Sequence, residues 1–365
     1  MRMLWIGMSI IICAVIGGYS VNSNLVANVE VERKSAQYDG KQFNNLVTIA
    51  PQSISKTLGI VKRYITENRV DTAPTSRLPM ATITADSLAA LSNNKVHIIK
   101  LGHSSILLKV KGEYWLLDPV FSERASPFSF LGPKRLQPTP ISIAALPNID
   151  KVIISHNHYD HLDKAAVRAL AHKTAQFLVP LGVEGDLAAW GIDKQKIVAF
   201  DWWQELEIKD TLVAFTPTQH FSGRGLSDAN TTLWGSWVIK TDNESLYFSG
   251  DSGYFSGFKT IGDKYGPFDY TLLETGTYDE DWADVHMTPE QSVQAHIDLQ
   301  GKVMIPIHNS TFDLAFHAWY EPLERALSAA DKQSVVLNTP IVGEVTTVGC
   351  CESQETRWWH SLQKR

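Results

Sequence analysis

The stretch Ser155-His156-Asn157-His158-Tyr159-Asp160-His161-Leu162-Asp163 concentrates imidazole and carboxylate donors in the pattern His-x-His-x-Asp-His. Nitrogen and oxygen donors of this kind suit zinc or a similar borderline metal. Donors packed so closely cannot easily all reach one ion, so the natural division is between two ions. Further donors must then come from elsewhere in the chain. His220 closes the run from Ala214 to Gln219, Asp251 follows Leu246-Tyr247-Phe248-Ser249-Gly250, and His308 follows Val303-Met304-Ile305-Pro306-Ile307. Each lies just after an apolar β-type run, and strand ends on one rim of a sheet converge. The expected arrangement puts His156, His158 and His220 on a first metal, and Asp160, His161 and His308 on a second. Asp251, with two carboxylate oxygens, bridges them. Two divalent ions with open positions lower the pKa of a shared water towards neutrality and clamp the oxygens of a displacement.

Other donors rank lower. Asp118 ends a strand near the same rim; it either orients a ligating histidine or simply caps the strand. His286 sits just before a helix start marked by Thr288, Pro289 and Glu290, where it is a pocket-edge acid or a plain loop histidine. His103 lies in a turn and reads as structural. His296 and His317 fall in stretches read as helical, satisfied by core or solvent. Asp163 is expected to cap the following helix. Tyr159 either faces substrate or fills space against its loop.

These donors need a scaffold. Lys151 to Ser155 is short, apolar and β-branched, hence a buried strand, and the Ala-rich run from Lys164 to His172 reads as a helix. The cluster therefore lies on a strand-to-helix loop, where open α/β sheets bind ligands. Val96 to Leu101, Ile106 to Val110 and Tyr114 to Leu117 read as successive strands. Antiparallel strands leading into a strand–loop–helix unit open a mixed sheet. Residues 121–147, punctuated by Pro127, Pro133, Pro138, Pro140 and Pro147, form a long loop placed to wall a pocket or to run idle over the surface.

The chain has 365 residues, 44% of them hydrophobic and 20% charged, which suffices for a full core. A net charge of −6 gives no basic field to recruit nucleic acid. Cys13, Cys350 and Cys351 make no disulfide framework and are assigned no chemistry. The run from Met3 to Val21 is uncharged, follows Arg2, and precedes Glu30 and Glu32. It is expected to be a signal-anchor or a cleaved signal peptide, holding the protein at a membrane with the catalytic part exported. The expected organisation is 1–22 anchor or signal, 23–94 linker with an amphipathic helix near 53–66, 95–349 catalytic domain, and 350–365 tail.

The ligand set resembles the binuclear metallo-β-lactamase fold, an αββα sandwich of two mixed sheets. Within that fold the chain is similar to the phospholipase D family that hydrolyses N-acyl-phosphatidylethanolamine, and to its bacterial relatives. The similarity rests on Leu101-Gly102-His103, Leu117-Asp118-Pro119-Val120-Phe121-Ser122, Gly132-Pro133-Lys134-Arg135 and Ile154 to Asp163. Asp201-Trp202-Trp203, Thr216 to His220, Leu233 to Trp237, Gly250 to Tyr254, His286 with Pro289-Glu290, and Ile307-His308 with Thr311-Phe312 continue it. It runs from about Phe43 to about Gly349. Asn309-Ser310 departs from the Trp-Gly that many relatives carry. The resemblance implies two Zn2+ on His156, His158, Asp160, His161, His220, Asp251 and His308, and a catalytic role for His286 beside Asp251. It implies a phosphodiesterase acting on a phospholipid at a membrane surface, releasing phosphatidic acid and an N-acylethanolamine. Another ester, lactone or phosphodiester substrate on the same fold is the alternative.

Overall fold

Every residue of strand β2 (Ser105–Val110) is buried, on both of its alternating faces. A strand without a solvent face must be covered on both sides, so the sheet that holds it is an inner layer. The computed structural model describes residues 35–49, 54–350 and 356–363. One sheet contains β1 (His97–Gly102), β2, β3 (Glu113–Leu117), β4 (Ile149–Ile153), β5 (Thr174–Pro180) and β6 (Ile197–Phe200), with β14 (Val345–Thr347) on the outer side of β1. The other contains β7 (Glu205–Ile208), β8 (Thr211–Thr216), β9 (Ser236–Lys240), β10 (Ser245–Phe248), β11 (Phe268–Glu274), β12 (Gly301–Ile307) and β13 (Val336–Leu337) in sequence order. Each sheet is antiparallel in one half and parallel in the other. Pairing is antiparallel from β14 to β3 and parallel from β3 to β6; it is antiparallel from β7 to β10 and parallel from β10 to β13.

Burial separates the layers. Ile106, Leu108 and Val110 share an inner core with Phe215, Trp237, Phe248 and Ile305 from the facing sheet. The opposite face of the first sheet, with Leu107, Val152 and Val179, packs on Leu88 of α2 (Ala85–Ala89), Val167 and Leu170 of α3 (Lys164–Leu170), and Leu187 of α4 (Val183–Ala189). The opposite face of the second sheet, with Val238, Tyr247 and Met304, packs on α5 (Gly257–Tyr265), α6 (Pro289–Asp298) and α7 (Glu321–Gln333) through Ile261, Val293 and Leu323. The layers are therefore αββα, as the resemblance implied. Asp163 caps α3 by accepting from the N–H groups of Ala165 and Ala166, as its position suggested. Thr288 caps α6, and its reciprocal partner is Gln291 rather than Glu290.

Several expectations change. The membrane anchor and export are not supported: no helix among the described residues is long and apolar enough to cross a membrane. Residues 1–22, where that expectation fell, lie outside the described residues. The first helix of the described chain, α1 (Ile54–Thr66), is 13 residues long and carries Lys56, Lys62 and Arg63, too short and too charged to span a bilayer. It attaches to the domain by its polar side. Arg63 bonds Asp279 and Asp281 at 2.6 and 2.5 Å and lies over Phe316, while Tyr64 donates to Leu314 O at 2.9 Å. Leu58 and Ile65 of this amphipathic helix are exposed. Within the stretch read as linker, Phe43 is fully buried in the inner core. In the C-terminal stretch, Trp359 is fully buried against α7 and donates to Glu324 at 2.7 Å. His317 is not helical; it lies in a loop, stacked on Tyr278 and accepting from Thr277 N at 3.0 Å.

Candidate metal centre

The candidate residues collect on one rim. The loop from β4 to α3 supplies His156, His158, Asp160 and His161. Beyond β8 comes His220, and beyond the adjacent parallel strands β10 and β12 come Asp251 and His308. Much of this rim needs the left-handed backbone region: His103, Asp118, Gly250 and His308 have φ of 54°, 40°, 57° and 59°. Such conformations persist only where the surroundings hold them, and they cluster at functional sites. Gly250 is there of necessity, because a Cβ would stand 2.6 Å from Ser155 Cβ and 2.9 Å from Gly235 O.

The histidines form a first group. His156 Nε2 lies 2.9 Å from His158 Nδ1, which lies 3.3 Å from His220 Nε2. His220 spends Nδ1 on Val285 O at 2.9 Å, which leaves Nε2 free to face its neighbours. Its backbone is held by Asn45, which accepts from His220 N at 3.1 Å and donates to His220 O at 2.7 Å. Burial, reinforced by neighbouring imidazoles, pushes His158 and His220 down to about 3 and His156 well below its ordinary value. Neutral imidazoles with crowded lone pairs are the form that binds a cation.

The second group is charged. Asp160 Oδ2 lies 3.3 Å from His308 Nε2 and 3.7 Å from His161 Nε2. Asp251 stands between the groups: Oδ1 is 3.2 Å from His161 Nε2, while Oδ2 is 3.2 Å from His308 Nε2 and 3.8 Å from both His156 Nε2 and His220 Nε2. Burial works against the charge on both carboxyls, but His161 and His308, joined at Asp160 by His103, together outweigh it and hold Asp160 and Asp251 well below the carboxylate range. Burial likewise opposes a proton on His308, and Asp251 and Asp160 overcome it, raising that ring to about 10. His161 Nε2 and Asp251 Oδ1 are buried without a hydrogen-bond partner. Two carboxylates in a dry site demand positive charge. Donor chemistry, orphaned atoms and spacing all fit metal ions, and the sets His103–Asp160–His161–His308 and His156–His158–His220 each lie within 4.8 Å.

The surroundings support the rings. Asp118 is fully buried and accepts from His161 Nδ1 at 2.7 Å, from Ser155 N at 2.7 Å and from Ser155 Oγ at 2.5 Å. Ser155 Oγ also meets His156 Nδ1 at 2.9 Å. Buried Arg224 donates to Asn157 O and Leu162 O at 2.6 and 2.8 Å, bracketing the metal loop. Tyr159 donates to Arg224 O at 2.8 Å and stacks on its guanidinium, so it braces the loop. His103, read as structural, reaches further than that: Nε2 is 3.0 Å from Asp160 Oδ2. His286 is present at the edge, its ring centre 5.1 Å from that of His220 and 5.5 Å from that of His308.

Sequence reasoning missed Glu274. It ends β11, between β10 and β12, so the rule that found Asp251 and His308 would also have found it. Its fully buried carboxylate is 2.9 Å from His286 Nδ1. Next to His308, a small cleft is lined by Leu136 of the Pro-rich loop and by Phe312, Leu314, His317 and Trp319. The loop's contribution is fixed by Leu136 N donating to Thr311 O at 2.8 Å.

The chain matches the family model described as "Beta-lactamase superfamily domain" over residues 114–309. An uncharacterized protein of Mycobacterium tuberculosis is 40% identical over 319 residues, covering 86% of this chain and 85% of that one. The N-acyl-phosphatidylethanolamine-hydrolyzing phospholipase D 1 of Caenorhabditis elegans is 34% identical over 280 residues, 73% of this chain and 78% of that protein. A metallo hydrolase from the archaeon Ignicoccus hospitalis shares the fold, with a TM-score of 0.55 at 21% identity over 70% of this chain and 100% of its own. With its donors gathered on one rim of an αββα sandwich, the chain belongs to the beta-lactamase superfamily and is a metal-dependent hydrolase of the metallo-β-lactamase fold.

Proposed function

We propose that this hydrolase cleaves the phosphodiester of an N-acylated phosphatidylethanolamine, releasing phosphatidic acid and an N-acylethanolamine at a membrane surface. His156, His158 and His220 would hold one zinc ion, and Asp160, His161 and His308 a second, with Asp251 shared between them. The observation that carries this reading is the position of Asp251, whose carboxylate lies 3.2–3.8 Å from nitrogens of both groups. Bound there, the ions would supply Lewis acidity to water and to a phosphoryl group. The chain's own residues do the rest. Asp118 fixes the ring of His161, and Arg224 fixes the loop. Water's oxygen joins phosphorus as the bond to the ethanolamine oxygen breaks, and the departing alkoxide needs a proton. His286, partly exposed at the site's edge, is the residue to pass it. The Caenorhabditis elegans relative, 34% identical, supports the substrate class by its name.

The test is to incubate the zinc-loaded protein with a mixed phospholipid panel and identify products by mass spectrometry. Phosphatidic acid should appear only from N-acylated species. Release of other headgroups, or of none, would replace this substrate with another ester, lactone or phosphodiester.

A further inference from the structure

The parallel strands β10, β11 and β12 are neighbours, and their C-terminal ends deliver Asp251, Glu274 and His308 to the same rim. Glu274 stands close to both, since Asp251, Glu274, His286 and His308 offer donor atoms within 4.8 Å of one another. Its hydrogen bonds, however, run to the chain around it. Its side chain has no solvent exposure, yet it is fixed from several directions. Oε1 accepts from Met287 N at 2.9 Å, and Oε2 meets His286 Nδ1 at 2.9 Å. Its own backbone is pinned as well: Glu274 N donates to Ser249 Oγ at 3.0 Å, and Glu274 O accepts from Ser292 Oγ at 2.6 Å. A fully buried carboxyl is costly to the fold unless its bonds are made. Here one of those bonds leads to the ring of His286, which keeps 11% exposure.

We propose that Glu274 is the positioning residue for His286, and that it acts through that ring rather than as a ligand. The reading rests on His286 serving the hydrolysis proposed above. One hydrogen is held between Oε2 and Nδ1, so Nε2 is the nitrogen left for substrate. The Met287 N–H matters to this argument. It demands an acceptor at the Oε1 position, so the carboxyl cannot turn, and Oε2 is committed to His286.

Glu274→Gln tests the assignment. The amide oxygen must serve Met287 N–H, so the amide NH2 faces Nδ1 and forbids a hydrogen there. The variant keeps shape and packing but removes a protonation state. With zinc-loaded protein and N-acyl-phosphatidylethanolamine in detergent micelles, whose alkoxide leaving group needs the proton, kcat should fall about 100-fold, the scale of general acid–base catalysis. KM should change by less than about threefold, since ground-state binding is untouched. Bound zinc, measured by elemental analysis, should stay at the wild-type level. The double variant with His286→Gln should be no slower than His286→Gln alone, because the two residues act as one unit. Isotope-labelled histidine should show a changed His286 ring signature in the Glu274→Gln spectrum. Zinc loss matching that of His308→Ala would make Glu274 a ligand and overturn the proposal. Additive losses in the double variant, or an unchanged kcat, would overturn it too. If no phosphodiester is cleaved at all, the functional reading fails by itself, and the ring signature still decides the positioning role.

Discussion

Asp118 accepts the Nδ1 hydrogen of His161 at 2.7 Å, and both side chains are fully buried. The same carboxylate takes both Ser155 hydrogens, N–H and Oγ–H, so each of its oxygens accepts from a donor. Asp118→Asn puts an amide NH2 among them, and at least one donor then meets another. Partners of this kind are worth about 10–100-fold in metal affinity. We expect zinc affinity, titrated against a competing chelator, to fall within that range while the fold is retained. Unchanged affinity would reduce Asp118 to a strand cap.

Asp251→Asn removes the charge that stands between the two nitrogen groups. Zinc content should drop, and turnover should fall by about a thousandfold or more, as losing a positioned charge in a dry site does. Near-normal activity in this variant would sink the shared-carboxylate arrangement.

Gly250→Ala is expected to be expensive. Its φ of +57° is strained for any side chain, and the new Cβ meets Ser155 at 2.6 Å. Backbone strain of this kind costs on the order of 1–3 kcal/mol, and the clash adds to it. Urea denaturation should show a loss at or above that range, together with weaker zinc binding, because Gly250 aims Asp251.

Chelation should destabilise the protein. Ions that bind only the folded chain contribute about 2.7 kcal/mol when free metal is 100 times the dissociation constant. Calorimetry with and without chelator measures this directly. An unchanged melting temperature would count against ions on this cluster.

Lys100 supplies a pH signature. It is buried beneath the His308 segment, donating to Pro306 O at 3.2 Å and to Asn309 Oδ1 at 3.1 Å, and burial pushes it down to about 7. In the unfolded chain it returns to 10.5. Between those values the unfolded state binds the extra proton, so stability rises with pH. Below about 7 both states are protonated and the slope vanishes. Relative to Lys100→Met, the wild type should gain up to roughly 1.4 kcal/mol per pH unit between about pH 7 and 9. Parallel stability curves would show that Lys100 keeps its proton.

The sequence was most legible where a short-range rule applied. His156 to His161 declare themselves by spacing, and His220, Asp251 and His308 by following apolar runs. The same rule applied to Phe268–Glu274 would have found Glu274, but a lone Glu at a strand end looks like any surface carboxylate. What stayed hidden depends on distant partners. Nothing near His103 in the chain reveals that it meets Asp160, 57 residues on. The helix near 53–66 is amphipathic in sequence, yet Arg63 and Tyr64 dominate α1's attachment, because the segments 279–281 and 314–316 offer carboxylates, a carbonyl and an aromatic ring. The departure at Asn309 gains a reason only in three dimensions, where Lys100 needs its side-chain oxygen.

Asn45 grips His220 across 175 residues of chain, and Phe43 N donates to Asn230 O nearby at 2.8 Å. During synthesis at about 5–20 residues per second, that segment waits roughly 10–35 s for its partners to emerge. For that interval Phe43 has only the first sheet's share of its core to enter, since its partners Phe215, Trp237 and Phe248 are still to come. The histidine at the far end of β8 is therefore secured late, by a piece of chain made early.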